Sequence, residues 1–136
     1  MGQEDYLLRE IEKIAIMLRF ILSKLIGNNE NPVITIERQF EETKELLFKE
    51  INFDLDSFLE LNESDSKEYI SHLKGKSTEN LELLAEIIYQ LGLNLKLEDR
   101  SVYLEKALQI YEFCNLADKT YSLDREAKIN MIRLFL

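Results

Sequence analysis

A chain of 136 residues with 17 Lys and Arg against 26 Asp and Glu, a formal net charge of −9, is long enough for one domain with a real core. Its 46% hydrophobic residues exclude disorder, and four Gly with one Pro are too few for a loop-rich β protein. A single Cys excludes a disulfide scaffold and suits a reducing compartment, and the acidic surplus excludes nucleic acid, whose binding needs clustered Lys and Arg.

The opening Met1-Gly2-Gln3-Glu4-Asp5-Tyr6 is acidic, the wrong sign for a leader peptide, and Tyr6 stands where a myristoylation motif wants Ser or Thr. The most apolar run, Ile14 to Ile26, is broken by Arg19 and Lys24 and falls short of the ~20 residues of a membrane span. A cytoplasmic protein is expected, without membrane or nucleic-acid partners.

The first helix is predicted from about Glu4 to Ile26. Leu7, Ile11, Ile14, Leu18, Ile21 and Leu25 form one seam at alternating spacings of four and three, and Leu8, Ala15 and Leu22 widen it. Ile16 and Phe20 point nearly opposite that seam, with Met17 between. A helix apolar on both sides is normally buried on both. A second copy of the chain is the expected cover, which makes Leu7, Ile16, Met17 and Phe20 candidate self-association residues. The short helices between Asn52 and Lys74 are the competing cover. Gly27 to Pro32 is the predicted stop.

A second helix is predicted from about Thr35 to Ile51, with Ile36, Phe40, Leu47 and Ile51 inward and a mixed-charge outer face. Asn52 to Leu61 reads as a short helix capped by Asp54. Asp65 and Glu68 have the spacing of a capping box for another, running to about Lys74 and closed by Gly75. Three more follow: about Thr78 to Lys96, about Arg100 to Asp118, and Ser122 to Leu136, the last with a stripe of Ile129, Ile132 and Phe135. Strand-like alternation is absent apart from Val33 to Ile36. The fold class is all-α, about seven helices in antiparallel hairpins within a single domain, 1–136; an irregular helical bundle is the alternative.

Leu91-Gly92 followed by Ala107, Tyr111 and Cys114 carries a family pattern. The stretch Leu84 to Cys114 resembles a tetratricopeptide repeat, in which two antiparallel helices pack closely through small residues. The resemblance implies a tetratricopeptide-like C-terminal half, 78–136. Ile88 and Leu95 replace the motif's Trp and Tyr, Lys119 its Pro, and the turn at Leu97 to Arg100 reads as about three residues too long. The opening Asp5 to Glu12, the acidic middle at Asp54-Leu55-Asp56 and the repeat-like end are similar to an uncharacterised family of small bacterial all-helical proteins. That likeness implies an architecture and no activity.

Catalytic patterns fail on their spacing. Gly75-Lys76-Ser77 ends like a phosphate loop, but Ile70 stands at the required Gly. His72 with Glu68 supplies two metal ligands where zinc wants three or four, and Cys114 lies in an apolar stripe. Asp54, Asp56, Glu60, Glu63, Asp65 and Glu68 are read as caps and a solvated face, or as a docking surface for a basic protein or peptide. Tyr89, Tyr103 and Tyr111 are candidate groove residues, with core burial as the plainer alternative. The expected function is a non-enzymatic association module forming a homodimer, with no cofactor; an adaptor for a basic partner is the alternative.

Overall fold

The computed structural model describes residues 3–28, 35–119 and 121–136. Among these, seven helices and no strand occur: α1 (Gln3–Asn28), α2 (Ile36–Ile51), α3 (Leu55–Glu60), α4 (Glu63–Ser71), α5 (Thr78–Leu93), α6 (Leu97–Ala117) and α7 (Leu123–Phe135). The predicted stop at 29–32 and the short alternation at 33–34 lie outside the described residues.

Side-chain caps set most helix starts. Thr35, Asp54, Asn62, Ser77 and Ser122 each accept a hydrogen bond from the backbone N–H three residues on, which satisfies one of the orphan donors of a first turn. The cap of α4 differs from the expectation. Asn62 Oδ1 takes the Asp65 N–H at 2.7 Å, so Asp65 sits inside the first turn, where its charge favours the helix dipole. The helix also stops earlier, at Ser71. α2 ends on Asn52 in the left-handed region (φ 56°), with the Phe53 N–H bonded to Leu47 O.

The α5–α6 junction is another correction. Leu97 to Arg100, read as a turn, is the first turn of α6, so only residues 94–96 connect the two helices. Arg100 explains the tight join: its guanidinium donates to Leu93 O at the end of α5 and to Leu95 O in the connector, both at 2.9 Å. Gly92 permits the close approach, since a Cβ there would lie 2.9 Å from Tyr103 Cβ.

α5 is the central element. Leu81, Leu84, Ala85, Ile87, Ile88 and Leu91 are buried, with α6 packed along one side and α1 along another. α7 lies against α6 through Ile129 and Ile132. The predicted stripe stops there. Phe135 is half exposed, and Leu134 and Leu136 face outward. Ile14, Leu18, Ile21 and Leu25 of α1 enter the core, as the seam requires. Gly75 adopts φ +66° and packs against Ile14, leaving no room for a side chain; this packing, with the positive φ, accounts for a glycine that had only superficially suggested a phosphate loop. α3 and α4 lie on α6, where the buried Lys106 bonds Leu61 O and Ser66 Oγ.

Candidate association surface

At about 100° per residue, Ile14, Leu18, Ile21 and Leu25 share a sector about 60° wide, and Ile16 and Phe20 lie on the opposite side of α1. Ile16 is 63% exposed and Phe20 55%. The helices between Asn52 and Lys74 pack on α2 and α6 and leave both uncovered. Met17 turns partly inward beside them. Leu7 does not join this group. It points to the seam side and is exposed because the first turns of α1, with Tyr6 and Leu8 also exposed, run beyond the covered part of the helix. The predicted quartet is therefore one outer ridge, Ile16 and Phe20, with Met17 at its edge and Leu7 on the opposite side.

A cavity of about 520 Å³ lies along the edge of that ridge, between α1, the end of α2 and the residues before Gly75. Ile14 and Met17 give it an apolar floor. Arg9, Lys13, Lys49 and Lys74 stand against only two carboxylates, Glu10 and Glu50. Lys74 pairs with Glu10 at 3.4 Å. Arg9, Lys13 and Lys49 pair with no carboxylate among the described residues. A cluster of unpaired cations in a chain of net charge −9 was not foreseen. Arg9 and Lys13, one turn apart, were visible as a basic patch on α1; Lys49 and Lys74 come from elsewhere in the chain, and only folding brings them there.

Beyond Lys74 a second cavity of about 480 Å³ opens between α4 and the end of α2. Its walls include Leu61, Tyr69 and Leu73, with Asp65 and Glu68 on α4. Lys74 lines both cavities, so a basic and an acidic hollow stand side by side. Asp65 and Glu60 have no cation partner among the described residues; Glu63 pairs with Lys67 and Glu68 with His72, both pairs exposed.

The three tyrosines are not brought to one groove. Tyr89 and Tyr111 are buried in the core, and Tyr103 packs edge-on to Phe40 beside Gly92. Tyr111 borders a hollow of about 360 Å³ between α1, α5, α6 and α7. Its hydroxyl bonds Glu86 at 3.2 Å, and burial, reinforced by Glu86, pushes it well above the usual phenol range. Glu86 also pairs with Lys128 at 3.0 Å. Arg125, only 3% exposed, bonds Glu82 at 2.7 Å, Asn115 at 3.1 Å and Asp118 at 3.3 Å. Arg125 stands one turn before Ile129 on the inner stripe of α7; no pattern in the chain marks its acidic partners. Glu79 is held by Arg19. The acids on the α5 wall of this hollow are thus occupied by the protein's own cations, an ion-pair clamp between helices.

Cys114 is buried, and that burial, with Glu82 nearby, pushes its thiol up to about 12, so little thiolate exists at neutral pH. Among the described residues, no three of His, Cys, Asp and Glu gather in a metal-sized group. No helix among them is long and apolar enough to cross a membrane. Comparison with protein-family models, with curated proteins and with solved structures finds no match for this chain.

Proposed function

We propose that the protein is a non-enzymatic helical association module that pairs with a second copy of itself through the outer face of α1. The supporting observation is the ridge of Ile16 and Phe20, large apolar side chains one turn apart on a helix whose other side is already in the core. Covering what remains exposed of these two is worth about 2–4 kcal/mol, enough to tip a weak encounter into a dimer. Two-fold pairing is the commonest way such a face is closed. A cytoplasmic setting accords with the single free thiol. The close α5–α6 hairpin, with Gly92 against Tyr103 and Ala107 buried, accords with a tetratricopeptide-like C-terminal half.

Sedimentation at micromolar concentration tests the reading. The unaltered chain is expected as a dimer, and Ile16→Glu with Phe20→Lys as a folded monomer with unchanged helical circular dichroism. A monomeric unaltered chain defeats it.

The acidic surface of α3 and α4 supports a second reading, an adaptor receiving a basic peptide. Its support is that Glu60 and Asp65 have no cation partner among the described residues. Saturable binding of a Lys-rich helical peptide, lost in Asp65→Lys, is the result that reading requires.

A further inference from the structure

We infer that the basic hollow beside the ridge is a binding site for a small organic phosphate, an anion that carries an aromatic ring or a short hydrocarbon. The site is built within one copy of the chain, so it stands whether or not the chain pairs with itself.

Charge is the first consideration. The hollow gathers Arg9 and Lys13 from α1, Lys49 from α2 and Lys74 from the segment before Gly75, against Glu10 and Glu50 alone. Lys74 already answers Glu10 at 3.4 Å. Three cations therefore face one remaining carboxylate, in a chain of net charge −9. Arg9 and Lys13 stand one turn apart, a like-charge spacing that weakens a helix, and neither pairs with a carboxylate among the described residues. A bound anion turns that repulsion into attraction.

Shape separates a compact ligand from an extended one. The volume, about 520 Å³, falls within the ~300–1,000 Å³ of small-molecule sites. Cations from three separate segments line a single hollow, an arrangement suited to the several oxygens of one phosphate group. An acidic helix would instead space its carboxylates a turn apart along its length. Arg9 supplies the planar fork that matches a phosphate, and the lysines supply point charges.

The apolar lining defines the rest of the ligand. Ile14 and Met17 form the base, and Tyr6, 68% exposed, stands at the wall with its ring available to stack. Inorganic phosphate leaves these side chains unused, whereas a phosphate ester of an aromatic alcohol meets both them and the cations.

Naphthyl phosphate joins the two features and is the probe, titrated at low salt into the full chain by calorimetry, with inorganic phosphate as the charge-only comparison. Saturable binding at a single site per chain is expected, roughly tenfold tighter than inorganic phosphate and weakened by added salt. Lys13→Glu and Lys49→Glu are each expected to weaken it roughly tenfold, and Tyr6→Ala to narrow the preference for the ester severalfold. Lys96→Glu makes the same change of charge outside the hollow and is expected to leave binding unaltered. All four positions are exposed, and circular dichroism confirms the fold. If a charge reversal unfolds the chain, Lys13→Gln and Lys49→Gln replace it, each expected to weaken binding severalfold. Absence of saturable binding, or an ester bound no tighter than phosphate, overturns the assignment. An equal loss in Lys96→Glu also overturns it, since attraction would then come from charge anywhere on the surface. So does co-sedimentation with vesicles of phosphatidylcholine and phosphatidic acid without binding of the ester, the mark of a lipid surface. Sedimentation of the same samples reads self-association separately: a monomer that binds the ester keeps this site and loses the pairing, and a dimer that binds none does the reverse.

Discussion

The two flanks of the α1–α5 layer handle charge in opposite ways. On the α7 side, Arg125, Lys128 and Arg19 each meet a carboxylate of α5, so the acids of that wall are answered by the protein itself. On the α2 side, Arg9, Lys13 and Lys49 border a larger hollow and meet none among the described residues. Ion pairs that lock helices together are part of the fold. Cations left open beside an exposed apolar ridge add nothing to it, and their value lies in what they can meet from outside. The contrast marks one region as structural and the other as available.

The strongest break of this contrast is Arg125→Ala. It takes from Glu82 its cation and from Asp118 one of its partners; because both acids are about a third exposed and rehydrate in part, the expected loss is about 2–4 kcal/mol, read from urea denaturation. Gly92→Leu tests the same half of the molecule through packing alone. The Cβ that would meet Tyr103 at 2.9 Å forces α5 and α6 apart, for an expected cost of about 1–3 kcal/mol; an unchanged midpoint would remove the support for a close hairpin.

Chemistry on the clamp side should be silent. With its thiol pushed to about 12, Cys114 is expected to react with a disulfide reagent at pH 8 far more slowly than an unfolded control, and to reach the control rate once urea unfolds the chain. Removing Leu134 to Leu136 is expected to move the melting temperature little, since all three are half exposed or more, beyond the buried Ile132. Smallest of all, Arg9→Ala and Lys13→Ala should each change monomer stability by no more than about 0.5 kcal/mol. A large loss in either would place these cations inside the fold and erase the contrast between the two flanks.

Acid lability probes the α1–α2 contact. Glu42 is held below its ordinary value by hydrogen bonds from Lys24 and then Arg38. A carboxyl depressed in the folded state stabilises above its unfolded value and loses that contribution as pH falls through the folded one. Stability should therefore decline below about pH 4.5, less steeply in Glu42→Gln, as followed by circular dichroism.

Helix periodicity was legible because it is local. The seam Ile14, Leu18, Ile21, Leu25 and the cap Asp54 could be read from spacing, as could helix starts at about Thr35 and Ser122, since a helix repeats every 3.6 residues and its first turn needs a side-chain acceptor. Leu7 shows the limit of that method. Its spacing places it on the seam, but whether anything covers the seam there depends on how far the other helices reach. Phe135 fails for the same reason at the other end. Leu97 to Arg100 was misread because Glu98, Asp99 and Arg100 suit a turn and a helix start alike, and the choice was made by Arg100 reaching back to Leu93 and Leu95.

By itself, then, the order of residues determined an all-helical chain, its element count, and two large apolar side chains facing away from the core of α1. Tertiary structure alone decided that nothing among the described residues covers Ile16 and Phe20, that Tyr89 and Tyr111 are buried, and that Arg9, Lys13, Lys49 and Lys74 converge. The division is physical. Periodicity and capping are set within a turn or two of backbone, whereas exposure and the sum of charge around a hollow depend on residues far apart in the chain, here 9 and 74, that only packing brings together.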